Sequence, residues 1–172
     1  LLYSGNDAAT AIAVYVGGSE EAFVNMMNRR AQELMANGTH FMNPHGLHDD
    51  NHYTTAYDLY LIFNECIKHE DFVNIIQSEA YTAYYTDVDG NSQEALFTPT
   101  NLYAQGEVDV PENVTIVGGK TGTTDEAGYC LILMEKDSSD NPYISIVMGA
   151  SEKPVLYEDM TSLIEAIPSG QQ

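Results

Sequence analysis

Basic residues are scarce in this sequence: 6 lysines and arginines stand against 26 aspartates and glutamates, for a formal net charge of −20. Such a chain repels phosphate backbones and anionic lipid, which argues against nucleic acid and anionic membrane surfaces as partners. The acid itself reads as a solvated surface that keeps the protein in solution. Cysteine is nearly as rare. Cys66 and Cys130 match no Cys-x-x-Cys zinc or redox spacing, and each sits in an apolar run, so both are expected to be buried thiols. Two cysteines do not decide the redox compartment, and their pairing stays open. No apolar run is long enough to span a bilayer, no basic stretch leads into an apolar one at the start, and no repeat or low-complexity segment occurs. What is present is ordinary globular material: 172 residues, 44% hydrophobic, enough for one compact unit or a large piece of one.

The hydrophobic period changes along the chain. Asp7 to Val16 carries the alanines and apolar residues of a buried helix, which Gly17-Gly18 would end. Ser19 can cap the next, with Glu20 and Glu21 in its first turn and Phe23, Met26, Met27, Leu34 and Met35 at helical spacing before Asn37-Gly38. A polar loop, Thr39 to Tyr53, leads to Thr55-x-x-Asp58, a capping-box pattern that predicts a helix over Thr55 to Lys68, and a short helix follows around Asp71 to Gln77. From Ala80 the pattern turns to tyrosines, threonines and β-branched residues. Asp87-Val88-Asp89-Gly90 reads as a hairpin turn, and Thr115 to Thr123, Gly128 to Lys136 and Tyr143 to Ala150 read as antiparallel strands. An amphipathic helix over Tyr157 to Ala166 would cover one face of that sheet. The expected class is therefore α+β, mainly helical over 1–79, with antiparallel strands and a final helix over 80–172.

Two short motifs carry chemistry. Lys120-Thr121-Gly122-Thr123 follows Gly118-Gly119 at the expected end of a strand, where glycines let a ligand approach the backbone. An ammonium and hydroxyls there suit a carboxylate, and a backbone N–H beyond the glycine suits a developing oxyanion. Ser4-Gly5-Asn6 opens the first helix. Serine and asparagine are ordinary cap residues, but S-x-N and K-T-G in this order are also two of the three signature elements of penicillin-binding proteins and class A β-lactamases, with Gly5 in place of the usual aspartate.

The surrounding blocks extend the likeness. Ser4-Gly5-Asn6-Asp7-Ala8-Ala9, Asn43-Pro44-His45-Gly46-Leu47, His52 to Leu59, and Gly118 to Thr123 with Ala127-Gly128-Tyr129-Cys130 resemble the serine D-alanyl-D-alanine carboxypeptidases, the low-molecular-mass penicillin-binding proteins. The resemblance implies a β-lactamase/transpeptidase-like fold, with a helical subdomain beside an antiparallel sheet and the active site between them. It implies that Ser4 relays a proton, that Asn6 hydrogen-bonds the substrate backbone, and that Lys120, Thr121, Gly122 and Thr123 form the opposite wall, holding the terminal carboxylate and part of the oxyanion hole. Peptidoglycan stem peptides and β-lactams are the implied ligands, no cofactor is implied, and the implied location is the extracytoplasmic bacterial envelope.

The family's nucleophile, the serine of S-x-x-K, has no counterpart here: Lys68, Lys120, Lys136 and Lys153 follow Glu65, Val117, Leu133 and Ala150 at that spacing. The expectation is a C-terminal part lacking the N-terminal strands and the nucleophile helix, inactive alone, and prone to self-association or to pairing with a chain that carries the missing segment. Two other readings stand beside this one. A β-lactamase-related hydrolase shares both motifs, although no glutamate stands out as a deacylating base. An acidic metal-binding module could use His40, His45, His48 and His52 with Asp49 and Asp50, but their spacing fits no standard zinc pattern and no metal ligand is assigned.

Overall fold

A computed structural model describes residues 1–168. Helix α1 (Asn6–Gly17) stops where expected, because Gly18 takes the left-handed conformation at φ 79° and returns its N–H to the Val14 carbonyl. Ser19 caps α2 (Glu20–Glu33), its hydroxyl accepting from the Ala22 N–H at 3.1 Å. This helix ends before Asn37-Gly38 because Met35 already turns left-handed, at φ 62°, and Ala36 closes back on the Ala31 carbonyl. Thr55 caps α3 (Ala56–Cys66) by accepting from the Asp58 N–H. Only half of the expected capping box forms, however. The Asp58 carboxylate is buried and accepts instead from the Thr39 hydroxyl at 2.8 Å, tying the preceding loop to the helix. Helix α4 (Glu70–Ile76) completes this half of the chain.

Strands β1 (Tyr81–Thr86) and β2 (Ser92–Phe97) form the expected hairpin, with the Asp87 carboxylate accepting from the Asp89 and Asn91 N–H groups across the turn. A short helix α5 (Leu102–Gln105) comes next and had no periodic signal in the sequence. The main sheet is antiparallel in the order β3 (Val114–Thr124), β4 (Gly128–Asp137), β5 (Pro142–Ala150). Helix α6 (Lys153–Glu165) starts one turn earlier than its apolar pattern suggested, because Pro154 is well suited to a first helical turn. The last 4 residues of the 80–172 segment lie outside the described ones.

One face of the sheet is the core. Leu131 and Leu133 of β4 pack with Tyr103 of α5 and with Leu156, Tyr157, Met160 and Ile164 of α6. Each such side chain contributes roughly 1.5–3 kcal/mol on burial. The opposite face meets the first half of the chain, α4 against β3 and α3 against β5. Strand β3 is an edge, and its pairing slips by one residue between Ile116 and Gly118, leaving Val117 as a bulge. Cys66 and Cys130 are free and only half-buried, so the sequence overstated their burial. An apolar run at a helix end, or on the partly covered sheet face, need not be fully enclosed. Among the described residues no helix is long and apolar enough to cross a membrane.

Candidate active site

The bulge at Val117 decides which way the Lys120 side chain points. Beyond it, Gly119 and Thr121 stand opposite Leu133 and Leu131, on the α6 face, while Gly118, Lys120 and Gly122 stand opposite Met134, Ile132 and Cys130, on the face turned to the helical half. Two glycines are required here by contact. A Cβ on Gly118 would lie 2.2 Å from the Ile76 carbonyl oxygen and one on Gly119 would lie 2.0 Å from that of Ile132, so β3 could not sit so close to α4 and β4 with larger residues. Lys120 lies well inside the strand, which runs on to Thr124, rather than at its end.

The Lys120 ammonium donates to the Ser4 hydroxyl at 2.8 Å and to the carbonyl of Thr121. Ser4 is not a helix cap. Gly5 occupies that position without a side-chain bond, and Ser4 itself adopts φ 65°, an uncommon left-handed conformation for a non-glycine residue. Its hydroxyl is thereby released from the helix and faces β3. Asn6, the first helical residue, lines the same cleft, as do Thr121, Gly122 and Thr123.

The third wall is the loop before α3. Asn43 closes its turn in both directions, accepting from the Gly46 N–H at 2.7 Å and donating to the Leu47 carbonyl at 2.8 Å, while Gly46 supplies a φ of 83°. Asn28 of α2 clamps the loop's start through two 2.8 Å bonds to the backbone of Phe41. Sequence reasoning missed Asn28, which carries no motif and looks like any polar helix residue. His52 accepts from the Met42 N–H and packs edge-on against Phe41, and burial pushes its pKa below the usual histidine value. It is therefore a neutral wall residue at pH 7.

These pieces enclose a cleft of about 520 Å³. Lys120 is its only charged side chain, and no aspartate or glutamate is among the lining residues. Burial lowers the pKa of the Lys120 ammonium from the ordinary lysine value, and the side chain forms no ion pair among the described residues. An unpaired, partly desolvated cation attracts an anion far more strongly than one in water. In a chain of net charge −20 this is a local positive site in a negative surround.

The sequence pattern of the D-alanyl-D-alanine carboxypeptidase family, peptidase S11, matches residues 1–152. This chain belongs to the S11 family. Among S11 relatives it is 33% identical over 162 residues to D-alanyl-D-alanine carboxypeptidase DacF of Bacillus subtilis, covering 94% of this chain and 39% of that protein. It is 34% identical over 148 residues to DacA of Escherichia coli, covering 86% of this chain and 33% of that protein. The crystal structure of the Streptomyces K15 DD-transpeptidase superposes with a TM-score of 0.85 at 27% identity, covering 96% of this chain and 63% of that one. The D-alanyl-D-alanine carboxypeptidase of Mycobacterium tuberculosis gives 0.78 at 26% identity. The S11 chain thus has the expected α+β, transpeptidase-like architecture, and it spans 39% and 33% of the lengths of the two curated relatives named.

Two other sequence features form no separate site: the first lies outside the cleft, and the second lends His45 and His52 to its wall. Ser139-Asp140-Asn141 spells the literal S-D-N triplet, but it forms the β4–β5 turn, where Ser139 and Asn141 donate to the Asp137 carboxylate. The histidines of the 40–52 loop each take a separate partner. His40 meets the Asn51 carbonyl, His45 accepts from the Leu47 N–H, and His48 lies 3.3 Å from Asp50. Among the described residues no three His, Cys, Asp or Glu side chains converge as a metal site.

Proposed function

We propose that this chain forms the carboxylate-binding and proton-relaying walls of a serine D,D-carboxypeptidase, which removes the terminal D-alanine of peptidoglycan stem peptides by acyl transfer. The observation that carries the reading is the 2.8 Å contact between Lys120 Nζ and Ser4 Oγ inside a cleft whose lining holds no carboxylate. In this reading the nucleophile is the serine of an S-x-x-K segment, which this sequence does not contain. That serine attacks the D-Ala-D-Ala carbonyl, the carbon–nitrogen bond breaks, and D-alanine leaves with a proton delivered through Ser4; water then hydrolyses the acyl-enzyme. Lys120 holds the substrate carboxylate with the hydroxyls of Thr121 and Thr123 and polarises the Ser4 hydroxyl. Asn6 binds the peptide backbone, and the Thr123 N–H supplies half of the oxyanion hole. β-Lactams would acylate the same serine. Substrates of this kind place the protein outside the cytoplasmic membrane, in the cell envelope.

The test uses the chain extended by an S-x-x-K-bearing N-terminal segment, assayed for D-alanine release from an acyl-D-Ala-D-Ala peptide and for covalent capture of a fluorescent penicillin. Release together with capture is expected. A folded, extended protein that did neither would overturn the reading.

A further inference from the structure

Thr121 and Thr123 were expected to meet the substrate carboxylate with equal standing, but the structure treats them differently. Thr121 Oγ1 lies 2.5 Å from Thr100 Oγ1, a residue that no motif marked and that does not itself line the cleft. Neither hydroxyl makes another hydrogen bond among the described residues. Each carries one donor and two acceptor positions. Thr121 lines the cleft from the edge strand, and its register turns its side chain to the α6 side, towards Thr100. If Thr100 donates, the Thr121 proton is left free for an acceptor at the strand's edge, and if Thr121 donates, that proton is used up.

The segment that presents Thr100 is held from several sides. Gln105 Nε2 donates to the Pro99 carbonyl at 2.7 Å, Asn101 Oδ1 accepts from the Tyr103 N–H at 3.1 Å, and the Tyr157 hydroxyl of α6 accepts from the Leu102 N–H at 2.9 Å. Pro99 and Asn101, the neighbours of Thr100, are both buried, and proline fixes its own φ. Tyr103 in turn bonds Thr161 of α6 at 2.7 Å through its hydroxyl. The Thr100 hydroxyl is therefore anchored to the core rather than carried on a free loop, and little rotamer freedom remains to be lost when a ligand arrives.

We propose that Thr100 is a positioning residue for carboxylate recognition: it donates to Thr121 Oγ1 and so aims the Thr121 proton at the carboxylate held by Lys120. An anion in the cleft selects this hydrogen-bond direction, because only then do Thr121 and Lys120 both donate to it. The inference rests on the carboxylate-binding role proposed for Lys120 and Thr121, and the experiment separates the two.

The chain, labelled for NMR, is compared with Thr100→Val and Thr100→Ser, first alone and then titrated with acetyl-D-alanyl-D-alanine or its C-terminal amide. Without ligand, the Thr121 χ1 couplings should report a single rotamer in the parent and in Thr100→Ser, and an averaged one in Thr100→Val. With the free acid, Thr100→Val should bind about five-fold more weakly, Thr100→Ser should bind like the parent, and all three should bind the amide alike. A parent that failed to prefer the acid over the amide would overturn the carboxylate-site reading itself. A parent that preferred the acid, with Thr100→Val binding it equally well or keeping a single Thr121 rotamer, would overturn the role of Thr100 alone.

Discussion

Lys120 Nζ and Ser4 Oγ stand 2.8 Å apart although 116 residues separate them in the chain. The contact joins the edge strand of the sheet to the turn that starts the first helix, and it holds an ammonium that burial makes harder to keep charged. A group retained at such a cost without an ion partner is arranged for something other than stability.

Lys120→Ala should therefore separate activity from folding. In the extended protein it should lower kcat/KM for D-alanine release by about 100-fold or more, while the Tm stays level or rises because a desolvated charge is gone. Parallel kinetics and thermal melts decide the matter. Near-normal turnover in a folded variant would move the carboxylate site away from β3.

This chain alone should not be acylated by a labelled penicillin, since walls that bind a carboxylate and relay a proton cannot form an acyl-enzyme without a nucleophile. Intact-mass measurement after incubation gives the answer. A stable, stoichiometric adduct mapped to Ser4 or any other serine here would refute the assignment of the nucleophile to an S-x-x-K segment.

Stability should fall between about pH 4.5 and pH 7 for a reason that lies outside the cleft. Glu135 of β4 is fully buried, and neither carboxylate oxygen finds a hydrogen-bond partner; Ser145 approaches without reaching bonding geometry. Burial pushes its pKa from 4.5 up to about 7. The folded chain thus binds this proton more tightly than the unfolded one. Its contribution is complete below about pH 4.5, declines as the pH rises, and is lost above about pH 7, a change on the order of 3 kcal/mol. General repulsion at a net charge of −20 has the same sign, so the decisive comparison is with Glu135→Gln, which should flatten the dependence of the urea midpoint on pH. An unchanged slope in that variant would show that Glu135 is not the titrating group.

Two glycines three residues apart along β3 should behave in opposite ways. Gly119→Ala has no room, its Cβ falling 2.0 Å from the Ile132 carbonyl oxygen, and should destabilise the fold by several kcal/mol. A Cβ on Gly122 meets nothing within 4 Å, so Gly122→Ala should fold normally. Its methyl would project into the cleft, however, and should weaken acetyl-D-alanyl-D-alanine binding. Chemical denaturation of both variants and titration of the second would check this; a normally stable Gly119→Ala would mean that β3 and β4 are less closely apposed than described.

Much of this was legible because the signals were local. The Ser19 and Thr55 caps and the Asp87 turn rest on side chains that bond within a few residues, the Gly17-Gly18 stop rests on a glycine backbone that closes on Val14, and each appears where the sequence placed it. The motifs K-T-G and S-x-N could be paired only through resemblance, since no periodicity brings residues 4 and 120 together. What the sequence did not reveal depends on contacts at long range. Asn28 and Thr100 bond partners well away in the chain, the four-residue helix α5 is too short to show a period, and the left-handed turn at Ser4, which leaves Gly5 as the cap, has no sequence signal. Cys66 and Cys130 lay in apolar runs, yet their positions leave them half-buried.

The single unpaired residue at Val117 makes β3 a matter of odd and even. Val114 and Ile116 pack on the α6 face, and in an unbroken strand Lys120 would share their parity, burying its ammonium among Leu131, Leu133 and Met160. Removal of Val117 should therefore abolish the bulge and leave Lys120 opposite Ile132 on the cleft side, whereas removal of two residues between Ile116 and Lys120 should bring Lys120 opposite Leu133 and exchange the inside and outside of everything that follows. In a deletion scan, lengths along this stretch should be tolerated or rejected by count rather than by chemistry, while the Ser138 to Asn141 turn should accept changes of either kind.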